Sequence, residues 1–305
     1  MHNAVLTRRP SARPWAQRRL GWAPYLFIAV PVLYSLALSG LPLLKGLQLS
    51  FTNAKLLNPA GGRFVGLQNY QALLASPQTW SSIGVTLLYT LLVVLSAVLL
   101  GLAAALLINQ YFFGRLVLRA MLTIPWAVPT VAIALVFTWM MNSGTGILNA
   151  VTERLGLGRH EWLTDPNWAL FSVTLATVWK VTPFVMLVLL AALQAVPLEL
   201  VEAARVDGAT PLTVFRVVTV PAILPSLRVV VLLMTIWSFR RFEIIWLLTG
   251  GGPADATNTV VVGVYRTAFS QYNLGVAAAL GMLGVVMSLA VTVIYAALER
   301  QGTER

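Results

Sequence analysis

Apolar residues in this chain gather in long runs that Gly, Pro and charged residues interrupt. The runs predict about six spans, at Gly21 to Leu49, Ser82 to Asn109, Leu116 to Met141, Trp168 to Gln194, Leu227 to Leu248 and Leu274 to Leu298. Crossing a hydrocarbon core of about 30 Å takes roughly 20 apolar residues in a helix, a length these runs reach. The connections on one side are then Phe51 to Ser81, Asn142 to Asn167 and Thr249 to Asn273. They hold or adjoin Trp80, Trp162, Trp168, Tyr265 and Tyr272, whose amphipathic rings suit a membrane interface. Pro24, Pro31 and Pro42, then Pro125 and Pro129, then Pro183 each remove a backbone donor inside a span and should bend or break it.

On the other side one connection, Ala195 to Ser226, is long enough to fold. Pro197 is placed to open a helix, with Glu199 and Glu202 near the positive end of its dipole. Glu202, Ala203, Ala204 and Arg205 favour helix, and Gly208 supplies a stop or a sharp turn. A second helical run, Pro211 to Val218, precedes Pro221 and Pro225, which should return the chain to the membrane. The small Ala203-Ala204 face allows close approach of another backbone, and Glu202 and Asp207 offer carboxylates to a basic partner. A merely amphipathic surface helix is the structural alternative.

Composition agrees with a membrane protein: 58% hydrophobic, 10% charged, mean hydropathy +0.80, too little polar surface to clothe a soluble globule. The net charge of +11 is better explained by where the basic residues fall than by nucleic acid. Arg8, Arg9, Arg13, Arg18 and Arg19 crowd the start, and Arg115, Arg119, Arg205, Arg216, Arg228, Arg300 and Arg305 occupy alternate connections or the end. An even number of spans and the positive-inside rule together put both ends in the cytoplasm. No small-residue cleavage site follows the first apolar run, which is read as a retained span. The chain has no cysteine, so disulfides, thiolate metal sites and cysteine nucleophiles are excluded.

Lys180, Arg240, Arg241 and Glu243 fall inside expected spans, where an unpaired charge costs about 2.5 to 3.5 kcal/mol or more. Arg240 and Glu243, three apart on a continuous helix, would pair on one face, with Arg241 pointing elsewhere. The two histidines, His2 and His160, are far apart, acids are sparse and no phosphate-binding loop is present, so neither catalytic residues nor a metal site is expected.

Glu202-Ala203-Ala204, three residues, Gly208, nine residues, then Val218-Thr219-Val220-Pro221 resembles the cytoplasmic signature of the permease subunits of ABC importers. Valines stand where that family more often has Ile and Leu. Phe64-Val65-Gly66-Leu67-Gln68-Asn69-Tyr70, Trp179-Lys180-Val181-Thr182-Pro183-Phe184, Phe242-Glu243 and Leu248-Thr249-Gly250-Gly251-Gly252-Pro253 are similar to the maltose-type carbohydrate permeases, from about Trp22 to Arg300.

That resemblance implies an all-α polytopic membrane protein of the type I ABC importer permease fold. Residues 1–20 would be a cytoplasmic basic tail, 21–298 the permease domain with its coupling loop at 195–226, and 299–305 a second cytoplasmic tail. It implies a bacterial inner membrane location and a sugar, oligosaccharide or polyol as solute, with a sugar or glycerol phosphate an open variant. The implied partners are a second homologous permease, an ATP-binding cassette ATPase dimer that binds ATP and magnesium, an extracytoplasmic solute-binding protein and lipid, but no nucleic acid. No cofactor is implied for this chain. Glu202, Ala203, Ala204, Asp207 and Gly208 carry over as ATPase-coupling residues. Lys180, Phe184, Trp237, Ser238, Arg241 and Glu243 carry over as solute contacts, although packing of Phe184 and Trp237 between helices is an equal alternative. An ion-coupled secondary transporter acting alone is the competing reading; no inverted repeat supports it.

Overall fold

The computed structural model describes residues 22–303. The basic segment 1–20, including Arg8, Arg9, Arg13, Arg18 and Arg19, and the final Arg305 lie outside the described residues.

Helices make up nearly all regular structure, and the only β pairing among the described residues is two isolated bridges, Thr52–Phe64 and Lys55–Asn58. The chain divides at Gly46 and Leu47 into two units. The first contains most of α1 (Tyr25–Ser50), whose apolar stretch has no buried residue. A π turn at Leu36–Gly40 lies just before Pro42. A proline ring clashes with the carbonyl four residues back, and the wider turn moves that carbonyl aside, so the helix continues.

The second unit is a helical bundle. Its core is the pair α3 (Pro77–Asn109) and α7 (Pro166–Gln194). On α3 the buried positions Tyr89, Val93, Ala97, Gly101 and Ala105 repeat every four residues, one stripe of the helix. They meet Val181, Val185 and Leu189 of α7 in one apolar cluster. The one polar pair in that seam, Tyr89 and Thr177, is satisfied hydroxyl to hydroxyl at 2.8 Å. At 33 residues and about 1.5 Å per residue, α3 spans ~50 Å, well past a hydrocarbon core of about 30 Å. Helix α7 runs unbroken through Pro183.

The third expected span is two helices, α4 (Arg115–Ala127) and α5 (Thr130–Met140), bent by 99°. The break falls at Val128-Pro129. Val128 is extended (φ −73, ψ 133), as a residue before proline prefers. After α7 come the short α8 (Leu198–Val206) and then α9 (Pro211–Phe239). The fifth span therefore differs from the expected Leu227 to Leu248: it begins at Pro211 and ends at Phe239. Pro221 and Pro225 do not form the return to the membrane but lie within the helix. The π turn Phe215–Thr219 precedes Pro221 with the same offset that Leu36–Gly40 has from Pro42.

Beyond α9 the chain breaks at 240–242 and continues as α10 (Glu243–Thr249), α11 (Val260–Ser270) and α12 (Leu274–Thr303). The i, i+3 pair of Arg240 and Glu243 does not form, because no continuous helix holds both; the ion pairs among the described residues are Arg159–Glu153 and Arg266–Asp255. The long connections expected as loops also carry α2 (Gln68–Ala75) and α6 (Ile147–Arg154). Trp162 is no interfacial anchor: it is 6% exposed, donating its indole N–H to Asn149 Oδ1 at 2.8 Å.

Candidate functional site

Two places carry unspent polar chemistry, and they flank α9. At its N-terminal end stands α8, with no buried residue at all. Pro197 caps it with extended backbone (φ −60, ψ 128), and Glu199 occupies its first turn and Arg205 its last, both complementary to the helix dipole. Its stop is a Schellman motif: Gly208 N–H donates to Arg205 O and Ala209 N–H to Ala204 O, each at 3.0 Å, with Gly208 at φ +82. Glu202, Ala203, Asp207 and Gly208 are exposed and Ala204 half-buried. Val206 is 88% and Leu198 73% exposed, so the helix presents apolar and acidic groups together. It packs on residues 211–219, the turn and π segment that open α9.

At the other end of α9, ~43 Å of helix away, a cleft of about 480 Å³ is lined by Thr130, Trp237, Arg240, Arg241, Phe242 and Glu243. It lies where two helix breaks meet: Val128-Pro129 between α4 and α5, and Arg240–Phe242 between α9 and α10. Trp237 forms one wall with two further rings, stacking on Trp126 at 5.9 Å between centroids and meeting Phe184 at 4.9 Å; Trp126 and Phe184 are 5.1 Å apart. Arg241 is half-buried, and its Nε is fully enclosed without a hydrogen-bond partner. Glu243 is exposed.

Of the expected solute contacts, the structure brings Trp237, Arg241 and Glu243 together in the cleft and Phe184 behind its aromatic wall. Ser238 is 2% exposed and is not a lining residue; its carbonyl accepts the Arg241 N–H at 3.2 Å, fixing the turn. Lys180 donates from Nζ to the carbonyl of Val128 at 2.8 Å, satisfying an orphan acceptor at the end of α4. It is thus a clamp on the broken span, within electrostatic reach of Arg241 and Glu243. Trp126 in the aromatic wall, and Thr130 and Arg240 in the cleft lining, were not foreseen. The X-Pro step at Val128-Pro129 was the available signal for the first two, since a broken helix inside a membrane is tolerated only where it meets protein or a cavity.

The connection after α10 is stapled instead. Asp255 takes hydrogen bonds from Arg266 and from Gln78 Nε2, the latter at 2.8 Å. Burial pushes its carboxyl up, but those two bonds and the Arg266 charge outweigh it and hold the group below the ordinary carboxylate range.

Comparison with known proteins follows this geometry. The family described as "Binding-protein-dependent transport system inner membrane component" matches residues 97–301, a stretch that includes α7, α8, α9 and the cleft. The trehalose/maltose transport system permease protein MalF of Thermococcus litoralis is 42% identical over 76% of this chain and 78% of its own. The sulfoquinovosyl glycerol transport system permease protein SmoG of Agrobacterium fabrum is 36% identical over 81% of this chain and 80% of its own. The crystal structure of a bacterial ABC transporter involved in the import of the acidic polysaccharide alginate contains a chain with the same fold: TM-score 0.80 at 24% identity, over 92% of this chain and 96% of that one. The chain belongs to the family of binding-protein-dependent transport system inner membrane components.

Proposed function

We propose that this chain is the permease subunit of an ATP-driven ABC importer in a bacterial inner membrane, with both termini cytoplasmic, and that it moves a sugar, oligosaccharide or polyol inward. Its partners in this reading are a second, homologous permease, a dimer of ATP-binding cassette subunits that bind ATP and magnesium and hydrolyse the nucleotide, and an extracytoplasmic binding protein that delivers solute. The chain itself needs no cofactor. Names of its relatives, which include carbohydrate permeases, support the solute class.

The observation that carries the reading is α8: a helix with no buried residue, acids with no ion-pair partner among the described residues, and bare aliphatic side chains, seated on the first turns of α9. A free helix of this kind gains little from its own chain and is suited to a partner's cleft. Glu202, Ala203, Ala204, Asp207 and Gly208 are the coupling residues. Closure of the ATPase dimer moves α8, the push enters α9 through its π turn, and the far end of α9 carries Trp237 and the Arg240–Glu243 break. The cleft then changes the side to which it opens.

The test is to purify the tagged chain from its own host in mild detergent and identify by mass spectrometry what accompanies it. Recovery of an ATPase and a second permease is expected. Recovery of this chain alone, together with transport after reconstitution of it alone, overturns the reading in favour of an ion-coupled secondary transporter.

A further inference from the structure

The cleft at the C-terminal end of α9 has a charge balance that a neutral carbohydrate does not need. Arg240 and Arg241 face it with one carboxylate, Glu243. None of the three is in an ion pair among the described residues. The break at Arg240–Phe242 removes the helical geometry in which Arg240 and Glu243 would neutralise each other. Arg241 Nε is enclosed with no acceptor. Charged groups inside a membrane protein are costly unless something pairs them, and a donor enclosed without a partner adds its own desolvation penalty. Lys180 donates to the Val128 carbonyl at the helix break beside the cleft and supplies no carboxylate to it.

The cleft's own residues therefore leave an excess of positive charge, which a charged acceptor would balance. A guanidinium group has donors only, five N–H in a planar fork that matches the oxygens of a carboxylate, sulfonate or phosphate. Sugar hydroxyls offer such a fork only neutral acceptors, and a hydrogen bond to an ionised acceptor is about twice as strong. Resting on the importer reading above, we infer that the solute is an acidic carbohydrate or polyol: its acid group meets Arg240 and Arg241, its ring face lies on Trp237, and Glu243 accepts from a hydroxyl.

The test uses the whole complex, purified with its partner chains and placed in nanodiscs of zwitterionic lipid, so that no lipid headgroup supplies a net anion. Equilibrium dialysis compares glucuronate and glucose 6-phosphate with glucose and maltose. The acids should bind at least tenfold more tightly at low salt, and the gap should narrow as salt screens the charge. Arg241→Gln should remove most of the gap, and Arg241→Lys should keep part of it. Should Arg241→Gln fail to assemble, Arg240→Gln gives the same reading, and the wild-type comparison needs no variant. Acids that bind no better than the neutral sugars, or do not bind at all, overturn the inference, as does a gap that survives both glutamine variants. Maltose transport by an ATPase-containing complex without acid preference sinks this inference alone. Transport by the lone chain sinks the importer reading itself.

Discussion

The connection before α9 and the one after α10 are built on opposite plans. The one before α9, 195–210, is a helix that its own chain leaves bare: α8 has no buried residue, and Glu202 and Asp207 have no ion-pair partner among the described residues. The one after α10 is closed by its own side chains. Thr257 Oγ1 donates to Gly252 O at 2.8 Å, Asn258 Nδ2 donates to Ser82 Oγ at 3.3 Å, Thr86 Oγ1 accepts the Val260 N–H at 2.9 Å, and Asp255 holds Arg266 and Gln78. Thr257, Asn258 and Thr259 are all buried. Polar groups satisfied within the chain stabilise it; polar groups left exposed on a rigid helix are available to something else. The connection before α9 is thus left open, and the one after α10 is braced.

The largest effect should come from the bare side. Glu202→Lys reverses the charge a basic partner would meet and should reduce solute uptake to background while membrane insertion and thermal stability stay as in the wild type. Uptake, immunoblot of membranes and ATPase co-purification read these separately. Normal uptake would remove α8 from the mechanism and leave the comparison without a function.

On the braced side the same kind of change should act on stability instead. Asp255→Asn removes a charged hydrogen-bond acceptor and should destabilise the fold by about 1 to 2 kcal/mol, read as a lower melting temperature of the detergent-solubilised complex. The pH dependence has a definite sign. The folded carboxyl titrates below its ordinary value of about 4, so its contribution is complete above that value and is lost as pH falls through the folded value. Between pH 7 and pH 5 the gap between wild type and Asp255→Asn should therefore be constant, closing only in stronger acid. A gap that closes between pH 7 and 5 would assign the stabilisation to some other group.

What was legible in the sequence divides along the same line. The helix opened by Pro197 and its stop at Gly208 depend on local signals, proline and a left-handed glycine, and both stand in the structure; apolar run length gives five long helices there, and six spans when the bent pair α4–α5 counts as one. The end of the fifth span did not follow from such signals, because hydropathy continues through Ile244, Ile245 and Leu248, which are buried in the bundle and not facing lipid. That continuity hid the break at Arg240–Phe242 and made a helical ion pair of residues that in fact share a cleft. The clamp from Lys180 to Val128 joins residues 52 positions apart. No local pattern announces such a contact; only the orphan carbonyl before Pro129 hinted that a donor was needed there.

The smallest effect expected separates backbone cost from packing cost, and it compares the two connections at a single atom. Gly208 and Gly251 both adopt left-handed backbone, at φ +82 and +91, which an L side chain adopts only with strain. A Cβ on Gly208 would meet nothing within 4 Å, whereas one on Gly251 would lie 2.8 Å from Val262 Cγ1. Gly208→Ala should therefore cost only the conformational strain, about 1 kcal/mol. Because α8 packs on little else, that cost should fray the last turn, lower uptake modestly and leave the melting temperature unchanged. Gly251→Ala carries the same strain plus a clash inside a packed segment, so it should cost about 2 kcal/mol or more and lower the melting temperature measurably. Equal shifts in melting temperature for the two variants would mean that α8 is anchored in the fold as firmly as the braced connection, and that its exposure is not freedom.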